Sequence, residues 1–298
     1  MPALPPAAAP APELIADYAC HTGEGPLWHP TEQKLYWCDI PHGEIYRYDP
    51  AQHRHETFHV GGVIGGFTFQ ADGALLLFMD RGAIRTLKDG RLATLVESIP
   101  GEEDTRFNDV IADPAGGVFC GTMASPTHPG HLYRLSRDGR LTKLLDEIGC
   151  SNGLGFTLDR RSMYYTDTTA RKIYLFDYDA ATGAIANQRV WVDTTEDSKN
   201  GGGYPDGMTV DAEGCVWSAR WDGSCLVRYS PEGREIARYP LPAKKVSSVC
   251  FGGPTFDEMY VTTAGGHLKE SDGPQAGALF RLRLNVRGLP EFLSRIRL

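Results

Sequence analysis

Gly201-Gly-Gly-Tyr-Pro-Asp206-Gly-Met-Thr-Val-Asp211 runs on through Ala212-Glu-Gly214 into Cys215-Val-Trp-Ser-Ala219 and Cys225-Leu-Val-Arg-Tyr229. The stretch reads as three short strands separated by turns. Asp206 stands between a proline, which fixes its own φ, and a glycine, which tolerates close backbone approach. Alone, such an aspartate is an ordinary turn residue. Its interest comes from recurrence, because the same scheme appears six times along the chain.

The other five units begin at Gly25-Pro-Leu-Trp28, Gly65-Gly-Phe-Thr-Phe69, Asn108-Asp-Val-Ile-Ala112, Asn152-Gly-Leu-Gly-Phe156 and Ser248-Val-Cys-Phe-Gly252. Each opening strand ends in a D-x-x-G or similar turn. A more aromatic strand follows, such as Leu35-Tyr-Trp-Cys38 or Ser162-Met-Tyr-Tyr-Thr-Asp167, and then an alternating one, such as Ile45-Tyr-Arg-Tyr48. Asp89-Gly90, Asp138-Gly139 and Glu232-Gly233 then turn into a fourth strand, for example Arg91-Leu-Ala-Thr-Leu-Val96. Strand–turn–strand alternation with Asp-Gly turns is the hairpin signature, and unit starts about 40–54 residues apart fall in the range of propeller blades. No segment holds a helical period, so no helix is expected.

Six four-stranded units predict an all-β protein, a six-bladed β-propeller, in one domain over residues 13–298. An open array would leave sheet edges unpaired, so the ends must join. Glu13-Leu-Ile-Ala-Asp-Tyr18 is the expected outer strand of the last blade, which is expected to end near Arg297. Residues 1–12, rich in Ala and Pro, are read as a disordered lead-in. Thr194–Gly203 is read as a loop over the channel mouth.

Composition narrows the function. The 298 residues carry a net charge of −8 with 30 scattered Lys and Arg, and no basic run suits nucleic acid or an anionic membrane. No apolar run reaches the length of a membrane span. The 7 cysteines are odd in number, widely spaced and without a C-x-x-C, which suits buried thiols in a reducing cytoplasm. No G-x-S-x-G elbow marks a serine hydrolase, and no G-x-G-x-x-G or Walker sequence marks a nucleotide enzyme.

In a propeller the opening strand of each blade lines the central channel. The residues at its head are Glu24, Gly65, Asn108, Asn152, Asp206 and, loosely, Ser247 or Ser248. Four of these carry oxygen donors, brought onto one ring by the repeat. Glu24, Asn152 and Asp206 supply two negative charges and an amide oxygen, a set suited to a central site for one hard divalent cation: Ca²⁺ foremost, with Mg²⁺, Mn²⁺, Zn²⁺ or Fe²⁺ as alternatives. His267 and Arg81 lie in loops that can reach the mouth. Trp221-Asp222 reads mainly as packing at its edge.

Gly23-Glu-Gly-Pro-Leu-Trp28, Arg106-Phe-Asn-Asp109, Gly121-Thr-Met123, Ser151-Asn-Gly153, Tyr164-Tyr-Thr-Asp-Thr168, Tyr204-Pro-Asp-Gly207 and Cys250-Phe-Gly-Gly253, in this order, resemble the SMP-30/gluconolactonase (regucalcin-like) family. The resemblance implies a six-bladed propeller, one divalent metal and hydrolysis of a sugar lactone such as glucono-, xylono- or arabinonolactone. It places the metal ligands on Glu24, Asn152 and Asp206, and substrate contacts on Arg106 and Asn108. One departure stands out: some members carry an acidic pair after Gly-Thr-Met, where this chain has Ala124-Ser-Pro-Thr-His128. Asp206 is the expected catalytic base, within reach of both a metal and a water. The alternatives are a phosphotriesterase-like hydrolase on the same scaffold, a calcium-binding regulatory propeller without turnover, and a docking platform. No nucleic-acid or membrane partner is expected, and a propeller of this size is expected to stand alone as a monomer.

Overall fold

The computed structural model describes residues 11–297, so most of the expected lead-in, residues 1–10, lies outside the described residues. Strand β1 (Glu13–Asp17) is followed by blade 1: β2 (Gly23–His29), β3 (Lys34–Asp39), β4 (Glu44–Asp49) and β5 (Arg54–Val60). Blade 2 holds β6 (Ile64–Phe69), β7 (Leu75–Met79), β8 (Ile84–Lys88) and β9 (Arg91–Val96). Blade 3 holds β10 (Phe107–Ala112), β11 (Val118–Thr122), β12 (Gly130–Leu135) and β13 (Leu141–Ile148). Blade 4 holds β14 (Ser151–Phe156), β15 (Ser162–Asp167), β16 (Lys172–Asp179) and β17 (Ala184–Asp193). Blade 5 holds β18 (Tyr204–Val210), β19 (Val216–Trp221), β20 (Cys225–Tyr229) and β21 (Glu235–Pro240). Blade 6 holds β22 (Lys245–Gly252), β23 (Glu258–Ala264) and β24 (Ala278–Arg283). The expected six-bladed propeller is therefore present.

β1 completes blade 6 by pairing antiparallel with β24, Glu13 opposite Arg281 and Asp17 opposite Ala278. The buried Arg281 holds this seam, donating to both Glu13 carboxylate oxygens at 3.0 and 2.9 Å and to Glu258 at 3.2 Å. Each blade buries its apolar faces against its neighbours, as where Phe78 of blade 2 meets Phe107 of blade 3 edge-on at 5.4 Å.

The D-x-x-G turns also do more than reverse the chain. Asp211 is fully buried; it accepts from the Cys215 N–H at 2.9 Å, from Trp217 Nε1 at 2.9 Å and from Arg228. Asp113 repeats the arrangement in blade 3 with the Gly117 N–H and Arg134. The strand-to-strand turn and the third strand are thus tied by one carboxylate.

All six inner strands break register at the same place: between Glu24 and Leu27, Ile64 and Gly66, Phe107 and Val110, Asn152 and Leu154, Pro205 and Met208, and Val246 and Ser248. A bulge bends the strand and re-aims side chains. Here it turns the head of each strand toward the axis. The backbones crowd so closely that a Cβ on Gly153 would lie 2.6 Å from the Asp206 carbonyl oxygen.

Two expectations need correction. Blade 6 ends at Arg283, not near Arg297. The remaining chain crosses the face where the inner strands end. The Ala212 N–H donates to the Arg287 carbonyl, the Ser294 N–H to that of Phe69 and the Arg295 N–H to that of Gly116, at 2.8, 2.9 and 2.8 Å. Phe292 packs on Phe156 at 5.9 Å. The segment contains Gly288 and Pro290 and lacks strand alternation, so it straps the channel floor instead of pairing in a sheet. Second, two one-turn helices exist, α1 (Thr195–Lys199) within the Thr194–Gly203 loop and α2 (Lys269–Asp272) after β23. Both are too short to show a period in sequence.

Candidate functional site at the channel mouth

The bulges place Glu24 of β2, Asn108 of β10, Asn152 of β14 and Asp206 of β18 at the start of the channel, with side chains 7, 9, 4 and 3% exposed. Charged groups this deep require partners. A relay of amides and hydroxyls links three blades. Arg106 Nη1 donates to Asn108 Oδ1 at 2.6 Å, and Asn108 Nδ2 donates to Asn152 Oδ1 at 3.1 Å and to the Ser151 carbonyl at 2.8 Å. Asn152 Nδ2 donates to Thr168 Oγ1 at 2.8 Å, whose hydroxyl donates to the Pro205 carbonyl at 2.7 Å. The network sets both amide orientations, so the Asn152 oxygen faces the channel side and its nitrogen faces Thr168.

The electrostatics are lopsided. Glu24 is pushed up to about 8, first by burial and then by the nearby Asp109, against the opposing Gly25 N–H at 3.0 Å and Arg106. Asp206 is raised well above the usual carboxylate range by burial, then by Glu24 and Asp109. Asp109 rises to about 6, again through burial. Arg106, itself depressed by burial, is the cationic group that opposes the rise at both Glu24 and Asp206. Acidic oxygens in excess of cationic charge, beside an amide oxygen, make a donor set that fits a hard divalent cation.

Arg106 reaches this position because its loop is anchored. Glu102, fully buried, accepts from Tyr133 Oη at 2.7 Å, Thr122 Oγ1 at 3.2 Å and His131 Nδ1 at 2.6 Å. Thr105 Oγ1 donates to the Met123 carbonyl at 2.6 Å. Above Arg106 the mouth is walled by Asp80, Arg81, Asp104, Met123 and Ser125. Asp104 reaches across to the loop that follows Gly121-Thr-Met123. One of its oxygens accepts from Thr127 Oγ1 at 2.6 Å, and the other lies 2.7 Å from His128 Nε2. The loop before Arg106 thus brings an acid against the loop that follows Met123.

The two serines separate. Ser247 Oγ is spent on the Gly23 carbonyl at 2.5 Å and Thr262 Oγ1 at 3.0 Å, whereas Ser248 lines the channel lower down. Gly65 carries no donor and abuts the Phe107 carbonyl. Lys245 Nζ lies 5.7 Å from the ring centroid of the half-buried Trp221. Arg81 is exposed on the mouth wall.

Three residues escaped the sequence reading. Asp109 follows Asn108, and strict alternation would turn it away from the axis; the bulge brings both inward. Thr168 was visible only as part of a motif. Glu291 belongs to the strap and faces the lower channel beside Asp109, where burial pushes it up to about 7.

Residues 22–265 match a family model described as the SMP-30/gluconolactonase/LRE-like region. The chain is 49% identical to a pentonolactonase of Haloferax volcanii, the match covering 95% of this chain and 98% of that protein. It is 33% identical to regucalcin of Oryctolagus cuniculus over 94% of this chain and 97% of that one. The crystal structure of a calcium-binding protein, regucalcin, from Agrobacterium tumefaciens superposes with a TM-score of 0.89 at 28% identity, covering 96% of this chain and 98% of that one.

Proposed function

The chain belongs to the SMP-30/gluconolactonase/LRE-like family, and from that premise we propose that it hydrolyses a sugar lactone to the aldonic acid at the channel mouth, using one divalent cation. The observation that carries this reading is the buried pair Glu24 and Asp206, each opposed by Arg106 at the strand heads, with the further acid Asp109 raising both. The pentonolactonase relative supports a five-carbon sugar lactone as the substrate class. Glu24, Asn152 and Asp206 would hold the cation, with Ca²⁺ the first candidate because every donor is oxygen. When bound, such an ion supplies Lewis-acid polarisation of the lactone carbonyl.

The chain's own residues do the rest. Asp206 takes a proton from the attacking water, general-base work of the kind that contributes about 10²–10⁴-fold. The water oxygen adds to the carbonyl carbon and the ring C–O bond breaks. The proton held by Asp206 passes to the departing ring oxygen, which leaves as a hydroxyl, and the new carboxylic acid ionises. Arg106 offers N–H donors to sugar hydroxyls or to the product carboxylate, and Asn108 helps fix its fork through the 2.6 Å bond. Asp104, on the mouth wall, accepts from a sugar hydroxyl.

The site is complete within one chain, so we take the working unit to be a monomer. The seven free cysteines support a reducing compartment. Among the described residues no helix is long and apolar enough to cross a membrane.

A panel of five- and six-carbon aldonolactones, run after chelation and again after metal re-addition, tests the reading. Metal-restored hydrolysis is expected, with Asp206→Ala at least about 10²-fold slower. A chain that binds Ca²⁺ yet opens no lactone would favour the calcium-binding reading that the regucalcin relatives suggest. Near-full activity of Asp206→Ala with metal still bound would remove Asp206 as the base.

A further inference from the structure

Three histidines on the mouth face are unused by this mechanism. His21 lies two residues before β2, His42 lies in the turn between β3 and β4, and His267 lies in the 3₁₀ turn Gly266–Leu268 after β23. They come from both ends of the chain, and closure of the ring puts them together. The His21 ring lies between the other two, 4.3 Å from His42 and 4.0 Å from His267 by centroids.

Asp39, only 1% exposed, organises the group. Its carboxylate accepts from the backbone N–H groups of His21 and Thr22 at 3.1 and 2.9 Å, which fixes the chain that carries His21. The same carboxylate lies 2.7 Å from His42 Nδ1. His42 therefore donates Nδ1–H to Asp39 and turns the lone pair of Nε2 outward. Carboxylate-held imidazole is the usual state of a metal-ligating histidine, since the outer bond sets both tautomer and orientation. Among the described residues the rings of His21 and His267 have no hydrogen-bond partner in the protein, so their nitrogens are open. Glu44 adds a carboxylate: one ligand atom from each of Asp39, His42 and Glu44 lies within 4.8 Å of the others. His42 and His267 are exposed, so ions reach the group from solution, and the His267 ring is held by no hydrogen bond among the described residues.

We propose that His21, His42 and His267 bind a second divalent cation of the late transition-metal class, such as Zn²⁺ or Ni²⁺, on the rim of the mouth. Asp39 fixes His42, and Glu44 is the carboxylate available to complete the site. Imidazole nitrogens favour these metals, whereas the all-oxygen channel donors suit Ca²⁺ or Mg²⁺. The two sites thus differ in chemistry as well as in place. Zn²⁺ and Ni²⁺ populate the rim, and Ca²⁺ does not.

The test uses untagged, chelator-stripped protein dialysed to equilibrium against Ni²⁺, with bound metal and protein both assayed. The triple variant His21→Gln/His42→Gln/His267→Gln is expected to bind one equivalent fewer than the wild type, with Ca²⁺ binding unchanged. Asp206→Asn should keep the rim equivalent. Cu²⁺ bound at the rim should show nitrogen hyperfine splitting in its electron paramagnetic resonance spectrum, and the triple variant should lack it. Asp39→Asn should weaken rim Ni²⁺ about 10–100-fold. Equal Ni²⁺ binding by wild type and triple variant, or a rim Cu²⁺ spectrum without nitrogen splitting, overturns the proposal. Should the triple variant misfold, His42→Gln alone at an exposed position decides: at least a tenfold loss of Ni²⁺ affinity supports the site, and unchanged affinity defeats it. No lactone enters these measurements, so their failure leaves the hydrolytic reading standing.

Discussion

Asn152 shows what a residue at the bulge must do. Its oxygen faces Asn108 and the channel while its nitrogen is held by Thr168 at 2.8 Å. Thr168 touches no expected ligand position except through that amide, so it is a positioning residue. Thr168→Val should weaken cation binding about 10-fold or more and, by leaving the Asn152 amide and the Pro205 carbonyl without their partner, lower stability by about 1–3 kcal/mol, as read by metal titration beside a melting curve. Glu291 gives a prediction of the opposite kind. Its folded-state value of about 7 lies above the ordinary 4.5, so the folded protein holds this proton more tightly than the unfolded chain. Its stability contribution is fully present below pH 4.5 and is lost as pH rises through 7. Because the carboxylate faces a cavity with room for water, the effect at pH 8 is about 1 kcal/mol and not the full shift. Glu291→Gln should therefore be the more stable protein at pH 8 and should show a flatter dependence of Tm on pH between 5 and 8. Equal pH profiles for the two proteins would mean that Glu291 is solvated.

At the scale of elements, the loop from Ile99 to Arg106 decides where the guanidinium points. It has no strand pairing of its own beyond a single bridge from Arg106 to Asp80. Glu102 compensates by sinking a carboxylate between Thr122, His131 and Tyr133. Breaking a buried, hydrogen-bonded charge costs about 3–5 kcal/mol. Glu102→Ala should lower stability by that order and, in what remains folded, raise KM for the lactone more than it lowers kcat. A fall confined to kcat would argue against a role in placing Arg106. Asp104 belongs to the same loop and its pairing with Thr127 and His128 joins the two walls of the mouth. Substitution at Asp104 should change the ranking among sugar lactones more than the rate on the best one, which a substrate panel reads directly.

For the whole molecule, closure is the critical event. Without β1, the strand β24 becomes an open edge, and an open edge recruits other chains. Arg281→Ala should cost about 1–3 kcal/mol, less than a fully buried pair because Glu13 is half exposed. Removal of residues 1–17 should give soluble aggregates or a sharply lower Tm, measurable by light scattering with a melting scan. The strap over the channel floor makes a second closure, from the C-terminal side, so both termini lock the ring.

The repeat in the sequence was enough to determine six blades, the strand that closes them, and Glu24, Asn108, Asn152 and Asp206 at the strand heads. Those features follow from local pattern and from register, which a single chain displays. The strap, the inward turn of Asp109, the anchoring of Arg106 through Glu102 and the meeting of His21 and His42 with His267 belong to the tertiary structure alone. Each depends on a bulge or on contacts between segments far apart in the chain. Backbone twist and ring closure bring those together, and no periodicity records them.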